Sequence, residues 1–411
     1  MMVLVDTIMV GRYDTLELGY LAMGMSLLQP IVVTSIGLIL GTLVMTANRY
    51  GAGDYAACGP IWRRSTGYAF CLGIGGLVIC SFGEPMFHLT GQSDVLAREG
   101  GRVLLVLGIG MPAHLVFLAS SFFLEGIGRP LPGLLFIFVA NILNVGLNWL
   151  LISDGGGAVG AAIATTACRW FLGIGMAVYV LTLSDHQKFG LRLRPEGGWR
   201  SWSAMRRLGY ASGVSLGVET IAFATIQQFA GWLEPEPLAA FSVVFALLTT
   251  TFMAAIGISA ATAVRVGNAH GRADNIDMGL AGWTGVGANS VMMAADGVLF
   301  FVAAGPLAGL FSKEAAVIAL AVPVIGWLGV VLVFDGGQAV LANALRGRQD
   351  VWMPCVIQAI AYFGVMIPVC WLLVFKFEQG VAGFYQGIFI AGVVSMALLG
   401  ARFHLLGRRA V

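Results

Sequence analysis

The segment Gly51-Ala-Gly-Asp54 returns as Gly271-Arg-Ala-Asp274, and Trp149-Leu-Leu-Ile152 returns as Trp371-Leu-Leu-Val374, at separations of 220 and 222 residues. Around these anchors Gly11 pairs with Gly231 and Pro132 with Pro354. Gly157-Ala-Val-Gly160 pairs with Gly380-Val-Ala-Gly383, and Gly128-Arg129 is matched to Gly347-Arg348 at a separation of 219. The separation drifts by a few residues only where loops lengthen or shorten. One unit of about half the chain is therefore written twice, in the same direction.

The material between the anchors is apolar. Of 411 residues 58% are hydrophobic and 11% charged, against roughly 25% charged in a soluble domain. A membrane-spanning helix needs about 20 mostly apolar residues. Such runs lie near 17–47, 65–83, 101–124, 131–152, 158–183, 208–232, 238–264, 281–304, 315–344, 353–375 and 380–403, which predicts eleven complete spans. Ahead of them Met1 to Gly11 reaches about 17 Å of a core about 30 Å thick. No basic segment of a signal peptide precedes it, so we read a truncated first helix, from a start placed too late or a fragment. The prediction is an all-α polytopic membrane protein of twelve helices in two six-helix lobes. An even helix count points both copies the same way, with a pseudo-two-fold axis along the membrane normal.

Charge gives the orientation. Of 23 Lys and Arg, only Arg12, Arg98, Arg102, Lys313 and Lys376 fall on one side and Arg169 inside a helix; the other seventeen, Arg194, Arg346, Arg348 and Arg409 among them, fall in the opposite loops. The rich side is cytosolic by the positive-inside rule, which places the C-terminus inside. The polar stretch 184–207 is the expected cytosolic linker between an N-terminal lobe, 1–183, and a C-terminal lobe, 208–411. Two lobes rocking about such a linker suit alternating access. The 57 glycines suit close helix packing in lipid. The six cysteines show no CxxC spacing, so neither a disulfide framework nor a zinc site is expected. A net charge of +2, with the basic residues spread over loops, is too small to suggest a nucleic-acid partner, and none is expected.

Intramembrane acids cost roughly 2.5–3.5 kcal/mol each on insertion scales and usually mark ion or proton pathways. Four qualify: Asp6, Glu219, Asp296 and Asp335. Glu219 and Asp335 lie about 16–18 Å along their helices from Arg207 and Arg346, near one depth. Such a pair could share a proton or coordinate a hard cation such as Na⁺. Asp6 lies about 9 Å below the outer end marked by Arg12. Asn144 and Asn148, one helical turn apart, could bring two amides to Asp6. Arg169 could pair with Asp6 or Glu125, or neutralise an acid for insertion. The plain alternative for all of these is hydrogen bonding between helices. His114 has no second histidine at metal-ligand spacing and reads as a packed polar residue. The charge is not duplicated: Asp6 faces Ile226, Asp335 falls near Val116 at a separation of 219, and the counterpart of Glu219 would precede residue 1. No GxxxxGK[ST], HExxH or GxSxG appears, so neither ATP coupling nor enzyme chemistry is expected, and secondary transport remains.

Val5-Asp-Thr-Ile-Met-Val-Gly11, the segment around Glu219, Ala263-Val-Arg-Val-Gly-Asn268 and Leu345-Arg-Gly-Arg-Gln-Asp350 resemble the multidrug and toxic compound extrusion (MATE) family, NorM-type branch. Leu143-Asn144, Leu147-Asn148, Gly157-Ala-Val-Gly160 and Asp335-Gly-Gly-Gln338 extend the resemblance over nearly the whole chain. It implies an antiporter without cofactor that exports amphipathic, often cationic, small organic compounds in exchange for Na⁺ or H⁺. It implies a C-terminal-lobe cation site at Glu219 and Asp335, and an N-terminal-lobe site for protonation and drug release at Asp6, Asn144 and Asn148. Asp296 and Arg169 depart from the pattern as possible secondary sites. The alternatives are a flippase for lipid-linked oligosaccharides of the same superfamily, which calls for a cationic cavity, and a non-transporting membrane enzyme or scaffold. A monomer in a bacterial inner membrane is expected, the latter also from 20 Arg against 3 Lys.

Overall fold

The structure, a computed structural model, describes residues 2–193 and 197–408, and of Ser153, Asp154 and Trp199 the backbone alone. Arg194 and Arg409, both counted on the Arg-rich side, lie outside the described residues. The described residues are helical almost throughout: α1 (Met2–Tyr13), α2 (Thr15–Ile39), α3 (Gly41–Gly51), α4 (Cys58–Ser81), α5 (Gly83–Leu89), α6 (Asp94–Ile109), α7 (Met111–Gly126), α8 (Leu131–Leu151), α9 (Gly157–Leu181) and α10 (Ser203–Ala230) come first. They are followed by α11 (Pro235–Gly271), α12 (Asn275–Phe311), α13 (Ala315–Gly347), α14 (Trp352–Ala359), α15 (Ile367–Trp371) and α16 (Val381–Arg408). The chain divides into two compact units, Met1–Gly213 and Val214–Val411.

Eight helical stretches among the described residues are long and apolar enough to cross a membrane, and ten when each bent pair is one span. That is fewer than the eleven complete spans expected. The shortfall is α10, whose Arg206, Arg207, Glu219, Gln227 and Gln228 dilute its apolar content. Nor is the stretch predicted as one helix over 101–124 straight: α6 meets α7 at Gly110 with a bend of 42°. Pro112 has no N–H to continue the ladder and leaves the Gly108 carbonyl without its usual donor. The run predicted over 65–83 likewise breaks after Ser81 and turns by 51° into α5.

Within the first unit α7 packs on α4 and α9, and α2 on α6, around Leu21, Leu104, Leu107, Met111 and Leu115. Within the second, α13 is central, touching α11, α12 and α16, around Leu328, Leu332, Met366 and Phe384. Gly297 and Gly329 let α12 and α13 meet backbone to backbone: a Cβ on Gly297 would lie 3.0 Å from the Gly329 Cα. Lipid supplies no hydrophobic drive for such contacts, so close packing must. Leu134, Phe138 and Ile142 on α8 and Val298, Phe301 and Val302 on α12 stay exposed, as lipid-facing residues do.

The helix ends fix the repeat more firmly than letters do. After α3 and α11, Gly53 and Ala273 both take positive φ, 77° and 57°. Asp54 N bonds to Arg49 O as Asp274 N bonds to Ala269 O. This is a Schellman cap at a separation of 220. After α7 and α13 the positive-φ residues are Gly128 and Gln349, at 76° and 64°. There Arg129 N bonds to Leu124 O and Asp350 N to Leu345 O, at 2.7 and 3.0 Å. The separation is therefore 221, and the match of Gly128-Arg129 to Gly347-Arg348 is two residues out of register. In the corrected register Asp335 corresponds to His114, not Val116, and Arg346 to Glu125.

Candidate functional site

In the first unit the acid sits where three helices meet. Asp6 on α1 is wholly buried. Its Oδ1 accepts from Asn148 Nδ2 at 2.6 Å and from Asn144 Nδ2 at 3.2 Å, both on α8. Its Oδ2 accepts from Thr165 Oγ1 on α9 at 2.6 Å. Asn144 Nδ2 also lies 3.1 Å from Thr165 Oγ1, and Asn148 Nδ2 lies 3.3 Å from Asn144 Oδ1. The one-turn spacing of the asparagines brings both amides to one carboxylate. Thr165 was not singled out in the sequence; a lone threonine in a membrane helix usually bonds its own backbone and gives no signal. A cavity of about 390 Å³ adjoins the cluster, lined by apolar side chains including Leu28, Phe117 and Leu172 and by His114, Asn141, Thr165 and Arg169.

Arg169 forms no direct ion pair with Asp6 or Glu125, although the Asp6 charge acts on it electrostatically. Its Nη1 donates to the Leu107 carbonyl at 3.0 Å, while Glu125 accepts from Ser121. The neighbours of Arg169 act alike, Thr166 Oγ1 donating to Val106 O at 2.7 Å and Trp170 Nε1 to Ile109 O at 3.2 Å. Together α9 satisfies carbonyls at the broken end of α6, and the guanidinium puts positive charge at that helix C-terminus. The bend at Gly110 created the carbonyls that Arg169 serves, and nothing in linear spacing announces it.

In the second unit Asp335 on α13 is 3% exposed. Gln338 Nε2 approaches its Oδ1 at only 3.5 Å and donates to Tyr362 Oη at 2.9 Å. Glu219 on α10 is half-buried and hydrogen-bonds to no other described residue; Asp335 and Arg346 both act on it electrostatically. Asp296 on α12 is also half-buried and joins none of these contacts. Arg346, placed in a loop by the sequence reading, instead closes α13 from within, 5% exposed. Asn289 on α12 was missed as well. It is wholly buried, both amide atoms lack partners among the described residues, and it lies against Gly336, the neighbour of Asp335. A buried amide left open in this way is a place for water or an ion.

At the loops after α7 and α13, the corresponding residues Arg129 and Asp350 each enter an ion pair. Arg129 Nη2 meets Asp185 Oδ2 at 2.6 Å in the first unit, and Arg402 Nε meets Asp350 Oδ2 at 2.9 Å in the second. The hydrogen bond from Arg129 holds the Asp185 carboxyl below its ordinary range and raises the guanidinium.

Residues 1–150 and 211–372 match the sequence profile of the MatE family. A Caulobacter vibrioides protein named probable multidrug resistance protein NorM is 32% identical, over 99% of this chain and 88% of its own. The Pseudomonas aeruginosa multidrug resistance protein PmpM is 27% identical, over 96% and 85%. Among solved structures, the outward-facing conformation of a multidrug resistance MATE family transporter of the MOP superfamily superposes with a TM-score of 0.92 at 19% identity, over 99% of this chain and 91% of that one. The eukaryotic MATE transporter AtDTX14 gives 0.87 at 22%, over 100% and 93%. At those identities the structures speak to fold, while profile and relatives speak to descent. The chain is a multi-pass membrane protein and belongs to the MatE family, the multidrug and toxic compound extrusion transporters.

Proposed function

We propose that this protein is a secondary active antiporter that exports amphipathic or cationic organic compounds in exchange for Na⁺ or H⁺. The observation that carries the reading is Asp6, a carboxylate with no exposed surface among apolar helices, bound by Asn144, Asn148 and Thr165. A buried acid in a membrane bundle is a costly element that transport uses. Asp6 with its asparagines serves substrate release and protonation in the first lobe. Glu219 and Asp335 hold the coupling cation in the second, with Arg169, which lines the cavity beside Asp6, and Asp296 as secondary residues. The apolar cavity beside Asp6, with few polar groups, suits an amphipathic guest. Both named relatives are multidrug resistance proteins, which supports the same substrate class.

The lobes are 1–183 and 208–411, joined by the linker 184–207 and working by alternating access as a monomer without a cofactor. The protein lies in a bacterial inner membrane with its C-terminus in the cytosol. The test is export of ethidium from loaded vesicles under separately imposed Na⁺ and proton gradients; the gradient that drives export names the ion. Asp335→Asn abolishes gradient-driven export, and undiminished export in that variant overturns the assignment.

A further inference from the structure

The polar contacts of the second unit form a connected file along α13. Asp335 is followed one turn later by Gln338, whose Oε1 accepts from Gln358 Nε2 at 3.1 Å and from Ser395 Oγ at 3.3 Å. Gln358 Oε1 accepts from Ser215 Oγ and from Arg346 Nη2, the latter at 3.3 Å. Arg346 Nη2 also donates to Ser215 Oγ at 2.9 Å and its Nη1 to Asn343 Oδ1 at 3.0 Å. Asn343 is tied in turn to Ser259 at 2.9 Å. The file spans eleven residues of α13, about 16 Å. It runs from the acid to the Arg-rich end of the helix.

Among the described residues, every group that Arg346 hydrogen-bonds is neutral. Arg346 is 5% exposed and forms no ion pair among the described residues. A buried guanidinium held by hydroxyls and amides keeps its full field, which in a low-dielectric interior reaches well beyond contact distance. The titratable groups that feel it are Glu219, one turn beyond Ser215 on α10, with Cys355 on α14 and Tyr362 on the turn that follows. Asp335 lies at the other end of the file.

We propose that Arg346 is the internal counter-cation of the Glu219 and Asp335 pair, a positioning residue that weakens their hold on the coupling cation and speeds its release along the Gln338 and Gln358 file toward the Arg-rich side. The inference rests on these two acids being the coupling site. With the cation bound, its charge and that of Arg346 together offset the two carboxylates; once it leaves, Arg346 remains to offset one of them, Glu219. The emptied site is thus left with one uncompensated negative charge instead of two.

The experiment measures cation binding directly on purified full-length protein, as uptake of radioactive Na⁺ at alkaline pH and as proton uptake from weak buffer without Na⁺. In Arg346→Gln the acids bind more tightly: half-saturation falls about tenfold in Na⁺, or moves about one pH unit higher for protons, as expected for loss of one nearby charge. Arg346→Lys stays within about twofold of wild type, because the charge survives although the planar contacts do not. A merely structural arginine predicts the reverse, with Lys and Gln equally damaging and no tightening in either. Arg346→Met, equally neutral, serves if the Gln variant does not fold. Placed on Glu219→Gln, the Arg346→Gln change has a smaller effect. Equal half-saturation in wild type and the neutral variants overturns the proposal. Failure of ethidium export with the binding shift intact overturns the proposed function alone.

Discussion

The first unit surrounds its acid with donors and the second leaves its acids nearly bare. Asp6 has three side-chain partners within 3.2 Å. Asp335 has one at 3.5 Å, and Glu219 has none among the described residues. The contrast follows the repeat. In the corrected register His114 stands where Asp335 does and Glu125 where Arg346 does. Arg129, which pairs with Asp185, stands where Asp350 pairs with Arg402. The same caps and helix junctions recur, but at three corresponding positions the charge or polarity is reversed. A duplicated backbone fixes where a buried group can stand, and leaves its sign free so long as a local partner satisfies it.

This contrast can be broken most directly at the two aspartates. In Asp6→Asn one oxygen that now accepts becomes an N–H₂, which faces either the two asparagine amides or the Thr165 hydroxyl; unmet polar groups of this kind cost about 1–3 kcal/mol each, and a clear fall in thermal stability is expected. Asp335→Asn, with almost no partner to lose, should melt within about 0.5 kcal/mol of wild type while losing all gradient-driven export. Equal destabilisation of the two variants would erase the distinction. Next in size, Arg169→Met strips the cation from the broken end of α6. Loss of a partly buried cation at a helix C-terminus costs up to about 2 kcal/mol, and hydrogen exchange should quicken in α6 and α7 around residue 110 before it does elsewhere in the first unit.

The caps sharpen the register itself. Gly128→Ala places a Cβ at a φ of 76° and should cost about 1 kcal/mol, whereas Gln349→Gly relieves the same conformation and should stabilise by up to about 1 kcal/mol. If the 219-residue register were right, Gly347 rather than Gln349 would respond. The smallest effect belongs to the loop pairs. Reversing the first unit's pair, Arg129→Asp with Asp185→Arg, copies the arrangement of the second and should restore most of what Arg129→Asp loses; with both partners partly exposed the coupling is about 0–1 kcal/mol. Because the Asp185 carboxyl titrates below its ordinary 3.8, that contribution is complete above pH 3.8 and is lost as pH falls through the lowered value. Melting temperatures of wild type and Asp185→Asn should therefore converge only under strongly acid conditions.

Much of the molecule was readable in the chain. Hydropathy marked the helices because lipid demands long apolar runs, and the one-turn spacing of Asn144 and Asn148 put two amides on one face. The Gly51-Ala-Gly-Asp54 repeat held its 220-residue register through both caps. The second cap misled, because the letters Gly-Arg recur two residues away from where the backbone turns. Arg346 misled for a related reason. Arginine at a helix end is ordinarily solvated, and only the neighbouring Ser215, Asn343 and Gln358 make its burial tolerable.

By itself the sequence determined an all-helical membrane protein written twice, with acids in its apolar segments, because spanning length, apolarity and repetition are local properties of a chain. Tertiary structure decided which partners the buried charged groups have: Thr165 for Asp6, the Leu107 carbonyl for Arg169, and a neutral cage for Arg346. Each of these depends on residues far apart in sequence meeting at a bend or a helix crossing. The energy of a buried charge is set by groups within a few ångströms in space, whatever their separation along the chain.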